Sequence, residues 1–319
     1  MKNTMLLDMN SIGFAAASSN KLIANDVEVQ AVFGTLNTIK SLMNNFSDYQ
    51  PIALWDGRAD FRYDLYPQYK DRAGKSESMD ELRTSYKSQT PNIQEFLSAL
   101  GVKQVTHLKM EADDLAYHYS RKFEDNGAEV LLITGDRDWL QLVTPKVRWM
   151  DHRKREIVDH SKFEEKTGFK TVRAFVEAKA LTGDQSDTIK GVGGIGEKGA
   201  RELLIKYGSV DELKRLYKMG KTGKLTKAVT NFLNNETPKS KIAKDGTEIT
   251  YAPSMDAFER NLQLMDLSRS PKIDKAYLNI VSESFNEQRF TELCAHYAFM
   301  SILKDIDTWT RIFKQAYRS

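Results

Sequence analysis

Short apolar runs alternate with longer stretches of helical period through the first half of the chain. Residues 4–7, 51–55, 103–106 and 129–134 predict strands, and residues 27–46, 92–100 and 112–124 predict helices between them. Pro91, just ahead of one periodic stretch, marks an expected helix start. Residues 147–150 and 155–158 predict two further strands. This alternation predicts an α/β fold with a mostly parallel central sheet flanked by helices. Residues 58–90 interrupt it, being polar, charged and tyrosine-rich without a continuous apolar face. So long an interruption inside a domain predicts a functional loop or lid. Beyond residue 161 strands give way to helical patterns, including 290–303 and 309–317. The expected division is an α/β domain over residues 1–160 and a mostly helical domain over 161–319.

Composition adds limits. A chain of 319 residues with 40% hydrophobic and 29% charged residues can bury a core, which excludes global disorder. The single cysteine, Cys294, excludes an internal disulfide framework and a cysteine-rich zinc site, and is expected to be a small buried hydrophobe. No apolar run approaches the roughly 18 residues of a membrane helix, and no membrane partner is expected. The N-terminus runs straight into Asp8 without a signal-type apolar stretch, so a reducing, cytoplasmic setting is expected. The charges, 47 Lys and Arg against 44 Asp and Glu, average to only +3. Taken as an average, that balance argues against a strongly electrostatic partner.

The acidic residues are not spread evenly. In an open α/β sheet, ligands bind beyond the carboxyl ends of the strands. Asp8 follows the first predicted strand, Asp56 the second, and Asp136 and Asp138 the run ending in Thr134-Gly135. Glu111, Asp113 and Asp114 crowd the start of the helix at 112–124. Capping requires one such carboxylate, whereas three so close repel one another unless cations offset them. The donors are all oxygen, with no neighbouring His or Cys, which indicates hard ions such as Mg²⁺ or Mn²⁺ rather than zinc. Several carboxylates on one edge suggest more than one ion, and two-metal phosphodiester hydrolysis is the natural chemistry.

A glycine-rich stretch follows, from Gly183 to Gly199. Gly191, Gly193 and Gly196 match the dinucleotide spacing G-x-G-x-x-G, but the residues before them are polar and turn-like where that motif needs a strand. Glu197 stands where a phosphate-loop NTPase needs its lysine. What remains is a glycine hairpin between helices expected at 171–181 and 196–207. Its backbone amides can hold a phosphate and so position a nucleic-acid backbone without reading bases.

The Asp8 strand end, Trp55-Asp56-Gly57, Glu111-Ala112-Asp113-Asp114, Thr134-Gly135-Asp136-Arg137-Asp138, and Gly183-Asp184-x-x-Asp187 followed by Gly-Val-Gly-Gly-Ile-Gly together resemble the 5′ nuclease superfamily. That group includes flap endonucleases, the 5′ nuclease domain of bacterial DNA polymerase I and stand-alone bacteriophage 5′–3′ exonucleases. The motifs occur in family order over about residues 5–210. The resemblance implies a PIN-like 5′ nuclease core that binds two divalent ions, Mg²⁺ with Mn²⁺ as a substitute. Asp8, Asp56, Glu111, Asp113 and Asp114 would hold the first; Asp136, Asp138, Asp184 and Asp187 would complete the second. It implies a helix–three-turn–helix over 171–207 gripping duplex DNA through Lys190, Gly191, Gly193, Gly194, Gly196 and Lys198, with K⁺ as a further candidate ion there. Lys179 matches a basic residue that the family places shortly before its Asp-x-x-Asp motif.

Residues 58–90 correspond in the resemblance to a helical arch that passes a single-stranded 5′ end. Their chemistry agrees: Arg62, Tyr63, Tyr66, Tyr69, Lys70 and Arg72 interleave cations with stacking surfaces. Tyr69-Lys70 matches the family's Tyr-Lys pair. The second arch cation usually lies three positions after that lysine, whereas Arg72 lies two after and Lys75 five after. Lys70, Arg72 and Lys179 are the expected phosphate-facing cations, and Tyr69 and Lys75 are expected at the DNA.

The implied function is structure-specific hydrolysis of DNA at a 5′ end, a 5′ flap or a single-strand/duplex junction, in replication or repair. A phage-type RNase H acting on RNA:DNA hybrids is an alternative with the same chemistry, and a catalytically inactive nucleic-acid-binding protein is an alternative of another class. No polymerase domain is expected after residue 319, so the resemblance is to the stand-alone, monomeric members. Beyond about residue 245 the sequence offers helical pattern but no motif, and is expected to pack on the core or to dock a replication protein. The net charge now reads differently. Nine of the acidic residues belong to the implied metal set, and residues 190–244 hold 13 Lys and Arg against 5 Asp and Glu. The balance of +3 is a cancellation between an acidic site and a basic track, and binding should weaken as salt rises.

Overall fold

The first predicted strand forms β1, Asn3–Asp8, at the centre of a seven-stranded sheet. In the computed structural model, which describes residues 2–71, 77–242 and 248–318, β1 pairs in parallel with β2 (Tyr49–Trp55) and β4 (Val130–Ile133). Outside these, β3 (Lys103–His107) and β5 (Val147–Asp151) add two more parallel strands. Antiparallel strands close both edges: β6 (Glu156–Val158) on β5 and β7 (Leu278–Val281) on β3. The order is β7-β3-β2-β1-β4-β5-β6. The inner strands are buried on both faces, which is why they read as continuous apolar runs. Met5, Leu7, Ala53, Trp55, Leu131 and Ile133 share one cluster with the helices Met9–Ala17, Gln30–Asn45 and Glu77–Ala99. The helix Ala112–Asp125 packs on β1, β2 and β4.

Register carries this order to the site. Leu7 is level with Ile133, and Asp8 with Leu54. The parallel strands therefore end together, and the residues just past them share one edge of the sheet.

The chain divides into two compact units. The first takes Met1–Ala59, Gly74–Asp159 and Lys272–Ser319; the second takes Asp60–Ala73 and His160–Pro271. The division near residue 160 is present, but Lys272–Ser319 joins the first unit rather than the helical one. Burial explains why: β7 completes the sheet edge, and Phe290, Trp309 and Phe313 enter the same core as Phe96 and Ile39. β7 escaped the sequence pattern because it is a short, half-exposed edge strand whose identity lies in its pairing with β3.

Other expectations are corrected. Pro91 lies inside the helix Glu77–Ala99 rather than at its start. The turns before it are held by burial of Tyr86 and Gln89, and Gln89 Oε1 accepts the Ala31 N–H at 2.7 Å. That burial outweighs the one hydrogen bond a proline removes. The stretch at 27–46 begins as a short strand pair, Ile23–Ala24 with Val27–Glu28, turning at Asn25 and Asp26 with positive φ. The stretch at 290–303 splits into Glu287–His296 and Met300–Leu303, broken at Ala298, φ 52°.

The second unit is mainly helical. The helix Val172–Thr182 packs on both Glu197–Tyr207 and Ser254–Met265. The fully buried Asn261 donates to the carbonyls of Ala180 and Lys190, at 2.8 and 2.9 Å, and pins the glycine hairpin from beneath. Among the described residues, no helix is long and apolar enough to cross a membrane.

Candidate metal centre and nucleic-acid interface

In the first unit, Asp8 does three jobs at once. It ends β1, caps the helix Met9–Ala17 by accepting the Ser11 N–H at 3.0 Å, and receives the Thr134 hydroxyl at 2.5 Å. The same Thr134 oxygen accepts the Asp136 N–H at 2.9 Å, so the ends of β1 and β4 are tied together. Asp136 in turn accepts the Asp138 N–H at 2.7 Å. Asp56, exposed just past β2, accepts the Ala112 N–H at 2.8 Å on one oxygen and the Asn10 side-chain amide on the other. Asp113 accepts the indole N–H of the buried Trp139 at 2.6 Å. Asp114 is fully buried and accepts the Glu111 N–H at 3.0 Å, which makes it part of the helix cap. Asp8, Asp56, Asp113, Asp114 and Asp136 are thus each aimed by a neutral donor of their own neighbourhood.

Asp8, Asp56, Glu111, Asp113, Asp114, Asp136 and Asp138 all stand on the edge where the parallel strands end. Among the described residues, no three His, Cys, Asp or Glu side chains form a group able to hold a metal ion as they stand. The arrangement fits a hydrated hard cation, because Mg²⁺ takes one or two carboxylates and keeps water and substrate oxygens as its other ligands.

In the second unit, the Asp-x-x-Asp motif sits on a tight turn joining the strand pair Gly183–Asp184 and Ile189–Lys190. Asp184 accepts the hydroxyl and N–H of Ser186 and pairs with Lys179 at 3.5 Å. Burial pushes the Asp184 carboxyl up, but the Ser186 hydroxyl, the Lys179 ammonium and the backbone N–H groups of Ser186 and Asp187 outweigh it and hold it below the usual range. Tyr69 and Lys70 lie on this turn: the Tyr69 hydroxyl is 3.5 Å from Asp187 Oδ2, and Lys70 N–H donates to the Asp187 carbonyl at 2.9 Å. The Lys70 ammonium stands over the Tyr69 ring, 5.1 Å from its centre. Arg72 and Lys75 lie outside the described residues.

The stacking surfaces expected between 58 and 72 are corrected. Tyr66 and Tyr69 are buried with Ile189, Leu264 and Met265, and Tyr63 packs against them. Arg62 is buried as well and donates to the Leu264 carbonyl at 2.9 Å. The three tyrosines recur every third residue, so the short helix Asp60–Leu65 and the turn after it do present an apolar face. Tyr69 therefore anchors Lys70 instead of offering a ring to a base.

At the glycine hairpin, Gly193 and Gly194 take φ of 80° and 74°, and a Cβ on Gly193 would strike Pro238 and Tyr251. Gly196 caps the helix Glu197–Tyr207, and a Cβ there would meet nothing within 4 Å. The first turn of that helix is thus open to solvent, flanked by the exposed Lys190 and Lys198.

Sequence reasoning missed Asn10, Ser11 and Trp139, which donate to the carboxylates directly, and Tyr86 and His152, which contact Asn10 and Ser11. Ser11 Oγ lies 3.1 Å from His152 Nε2 and accepts the Gly135 N–H at 2.8 Å. Burial, then the neighbouring Arg153, lowers the His152 imidazole. None of these residues belongs to a spaced motif; only their contacts single them out.

A mostly parallel sheet carries carboxylates at its strand ends, and a helical unit is built around a glycine hairpin. Residues 3–168 match the family model of the 5′–3′ exonuclease N-terminal resolvase-like domain, and residues 170–265 match that of the 5′–3′ exonuclease C-terminal SAM fold. The chain belongs to the 5′–3′ exonuclease family. It is 33% identical over 220 residues to DNA polymerase I of Bacillus caldotenax, an alignment covering 66% of this chain and 24% of that protein. It is 31% identical over 185 residues to a 5′–3′ exonuclease of Buchnera aphidicola, covering 57% of this chain and 62% of the other. The chain spans about a quarter of the length of the polymerase relatives it matches. Its fold is that of a bacteriophage T5 flap endonuclease solved in a pseudo-enzyme–product complex with DNA and metal ions, at TM-score 0.66 and 22% identity over 99% of this chain and 100% of that one.

Proposed function

We propose that this protein is a 5′ nuclease that hydrolyses phosphodiester bonds of DNA at 5′ ends and 5′ flaps with the help of two divalent ions, Mg²⁺ in the cell. The observation that carries this reading is the row of aimed carboxylates, Asp8, Asp56, Asp113 and Asp136, at the carboxyl ends of parallel strands in a chain of the 5′–3′ exonuclease family. The T5 structure with DNA and metal ions and the polymerase I relatives support it.

When bound, such ions make water a better nucleophile and neutralise the leaving oxygen. The chain's own residues do the rest. Thr134, Ser11, Ala112 and Trp139 fix where the carboxylate oxygens point, so little reorganisation is left for the reacting state. Asp184 and Asp187 are read as further ion ligands from their motif, with Lys70 and Lys179 as cations for phosphate charge. The glycine hairpin offers backbone amides and lysines to the duplex backbone, without sequence preference. K⁺ at this hairpin, monomeric action and a replication partner are parts of the same proposal.

The test compares the purified chain on a 5′-flap DNA, a nicked duplex and an RNA:DNA hybrid, with Mg²⁺ and with EDTA. Mg²⁺-dependent cleavage near the flap junction supports the reading. A faster rate on the hybrid would move the substrate to RNA primers, and no cleavage in any divalent metal would leave a binding protein.

A further inference from the structure

Tyr86 is the least expected neighbour of the carboxylate edge. It comes from the middle of the helix Glu77–Ala99, is buried, and packs edge-on against Phe14 with ring centres 6.4 Å apart. Its ring fills the slot left by Gly13, where any Cβ would collide with it. Its hydroxyl reaches the Met9 carbonyl and Asn10 Oδ1, each at 3.0 Å. Asn10 Nδ2 donates to Asp56 Oδ2, while Ala112 N–H donates to Asp56 Oδ1 at 2.8 Å.

The polarity of this chain is fixed by chemistry. An ionised carboxylate only accepts, so Asn10 must show Asp56 its NH₂ and turn its carbonyl oxygen to Tyr86. That oxygen accepts from the phenol hydroxyl, whose single proton is shared with the Met9 carbonyl at the same 3.0 Å. A phenol pushed up in pKa by burial, and then by the charges of Asp8 and Asp56, keeps its proton and can donate.

We infer that Tyr86 and Asn10 are positioning residues that orient Asp56 as an ion ligand, linking the long helix Glu77–Ala99 to the metal centre by the hydrogen-bond chain Tyr86–Asn10–Asp56. This deepens the nuclease reading and rests on it. With both oxygens of Asp56 held by neutral donors, its plane is set before an ion arrives. Partners of this kind are a large part of what tunes an ion site. Gly13 is the sequence signature of the device, because only a residue without a side chain admits the Tyr86 ring so close to the helix that follows Asp8.

The test uses the full chain and the variants Tyr86→Phe, Asn10→Ala and their double. Tyr86→Phe keeps the ring in its slot and removes only the hydroxyl. Mn²⁺ affinity is measured calorimetrically without DNA, and the Mg²⁺ dependence of 5′-flap cleavage is measured separately. Each single variant should weaken Mn²⁺ binding and raise the half-activating Mg²⁺ about tenfold, with the KM for the flap substrate unchanged. The double variant should be no worse than Asn10→Ala alone, since both act through one carboxylate. Unchanged Mn²⁺ affinity and Mg²⁺ midpoint in Tyr86→Phe would overturn the inference, and so would additive losses in the double variant. If the unaltered chain binds Mn²⁺ with these variant effects yet cleaves nothing, the nuclease reading fails and the positioning role stands.

Discussion

The backbone N–H of Lys70 donates to the carbonyl of Asp187 at 2.9 Å, and Lys70 holds a left-handed backbone, φ 52°, to do so. Thr188, the next residue along the facing turn, is left-handed as well, φ 62°, and its hydroxyl donates to the Asp71 carbonyl at 2.8 Å. A lysine and a β-branched residue in that conformation are strained. Lys70→Gly should therefore be about 1 kcal/mol more stable than Lys70→Ala, which keeps the strain. Both should lose about 100-fold in flap cleavage if the ammonium meets phosphate charge. Thermal unfolding and turnover check the two halves separately. Equal melting temperatures would remove the strain argument, and wild-type turnover in both variants would remove the cation's role.

Asp184 gives the second unit a pH signature. Its carboxyl is depressed in the folded chain, so it adds stability above its unfolded value, near 3.9, and loses it as pH falls through the lower folded value. The stability difference between wild type and Asp184→Asn should be flat from about pH 5 to 7 and shrink as pH falls below about 4. Lys179→Met should reduce the difference, because the ammonium is one of the groups that hold the carboxyl down. Urea midpoints across this range decide it; a difference unchanged down to about pH 2 contradicts the assignment.

Two glycines of one hairpin should behave oppositely. Gly193→Ala puts a Cβ into Pro238 and Tyr251 at positive φ, so it should cost about 1–3 kcal/mol in unfolding free energy. Gly196→Ala meets open space at an ordinary φ and should leave the melting temperature unchanged. If a DNA phosphate approaches the amides there, Gly196→Ala should still weaken duplex binding severalfold by fluorescence anisotropy. Unaltered affinity would place the duplex elsewhere.

Gly57 shows how a motif can be legible for one reason and required for another. In Trp55-Asp56-Gly57 the eye falls on the aspartate, yet a Cβ on Gly57 would strike the backbone of His107 and Met110. Gly57 N–H donates to the Met110 carbonyl at 2.8 Å, so the loops after β2 and β3 touch through this glycine. Gly57→Ala should destabilise by about 1–3 kcal/mol and move Asp56 off its Ala112 donor. Its cleavage should fall even at temperatures where the variant is folded by circular dichroism; full activity there would argue against close positioning of Asp56.

The parallel strands are legible because burial on both faces writes them as plain apolar runs, and Asp8, Asp56, Asp136 and Asp138 because each follows such a run. Where one residue breaks the chain's periodicity, the pattern misleads. Pro91 suggested a helix start since its cost is local, whereas the burial of Tyr86 and Gln89 that sustains the helix is tertiary. Tyr63, Tyr66 and Tyr69 looked like a stacking platform because tyrosine chemistry serves a core and a nucleic acid equally. The two links of the Tyr86–Asn10–Asp56 chain join residues 76 and 46 positions apart and leave no spacing signature.

The central claim is that the carboxylates at the strand ends serve hydrolysis rather than folding alone. Asp8→Asn keeps an oxygen for the Ser11 cap while removing the charge. The decisive measurement is single-turnover cleavage of a 5′-flap DNA in Mg²⁺ by wild type and Asp8→Asn, with duplex affinity measured in Ca²⁺. The account predicts EDTA-sensitive cleavage by wild type, a loss of about 100-fold or more in the variant, and affinities that agree within about threefold. Cleavage by Asp8→Asn at the wild-type rate, or wild-type cleavage that survives EDTA, would contradict it.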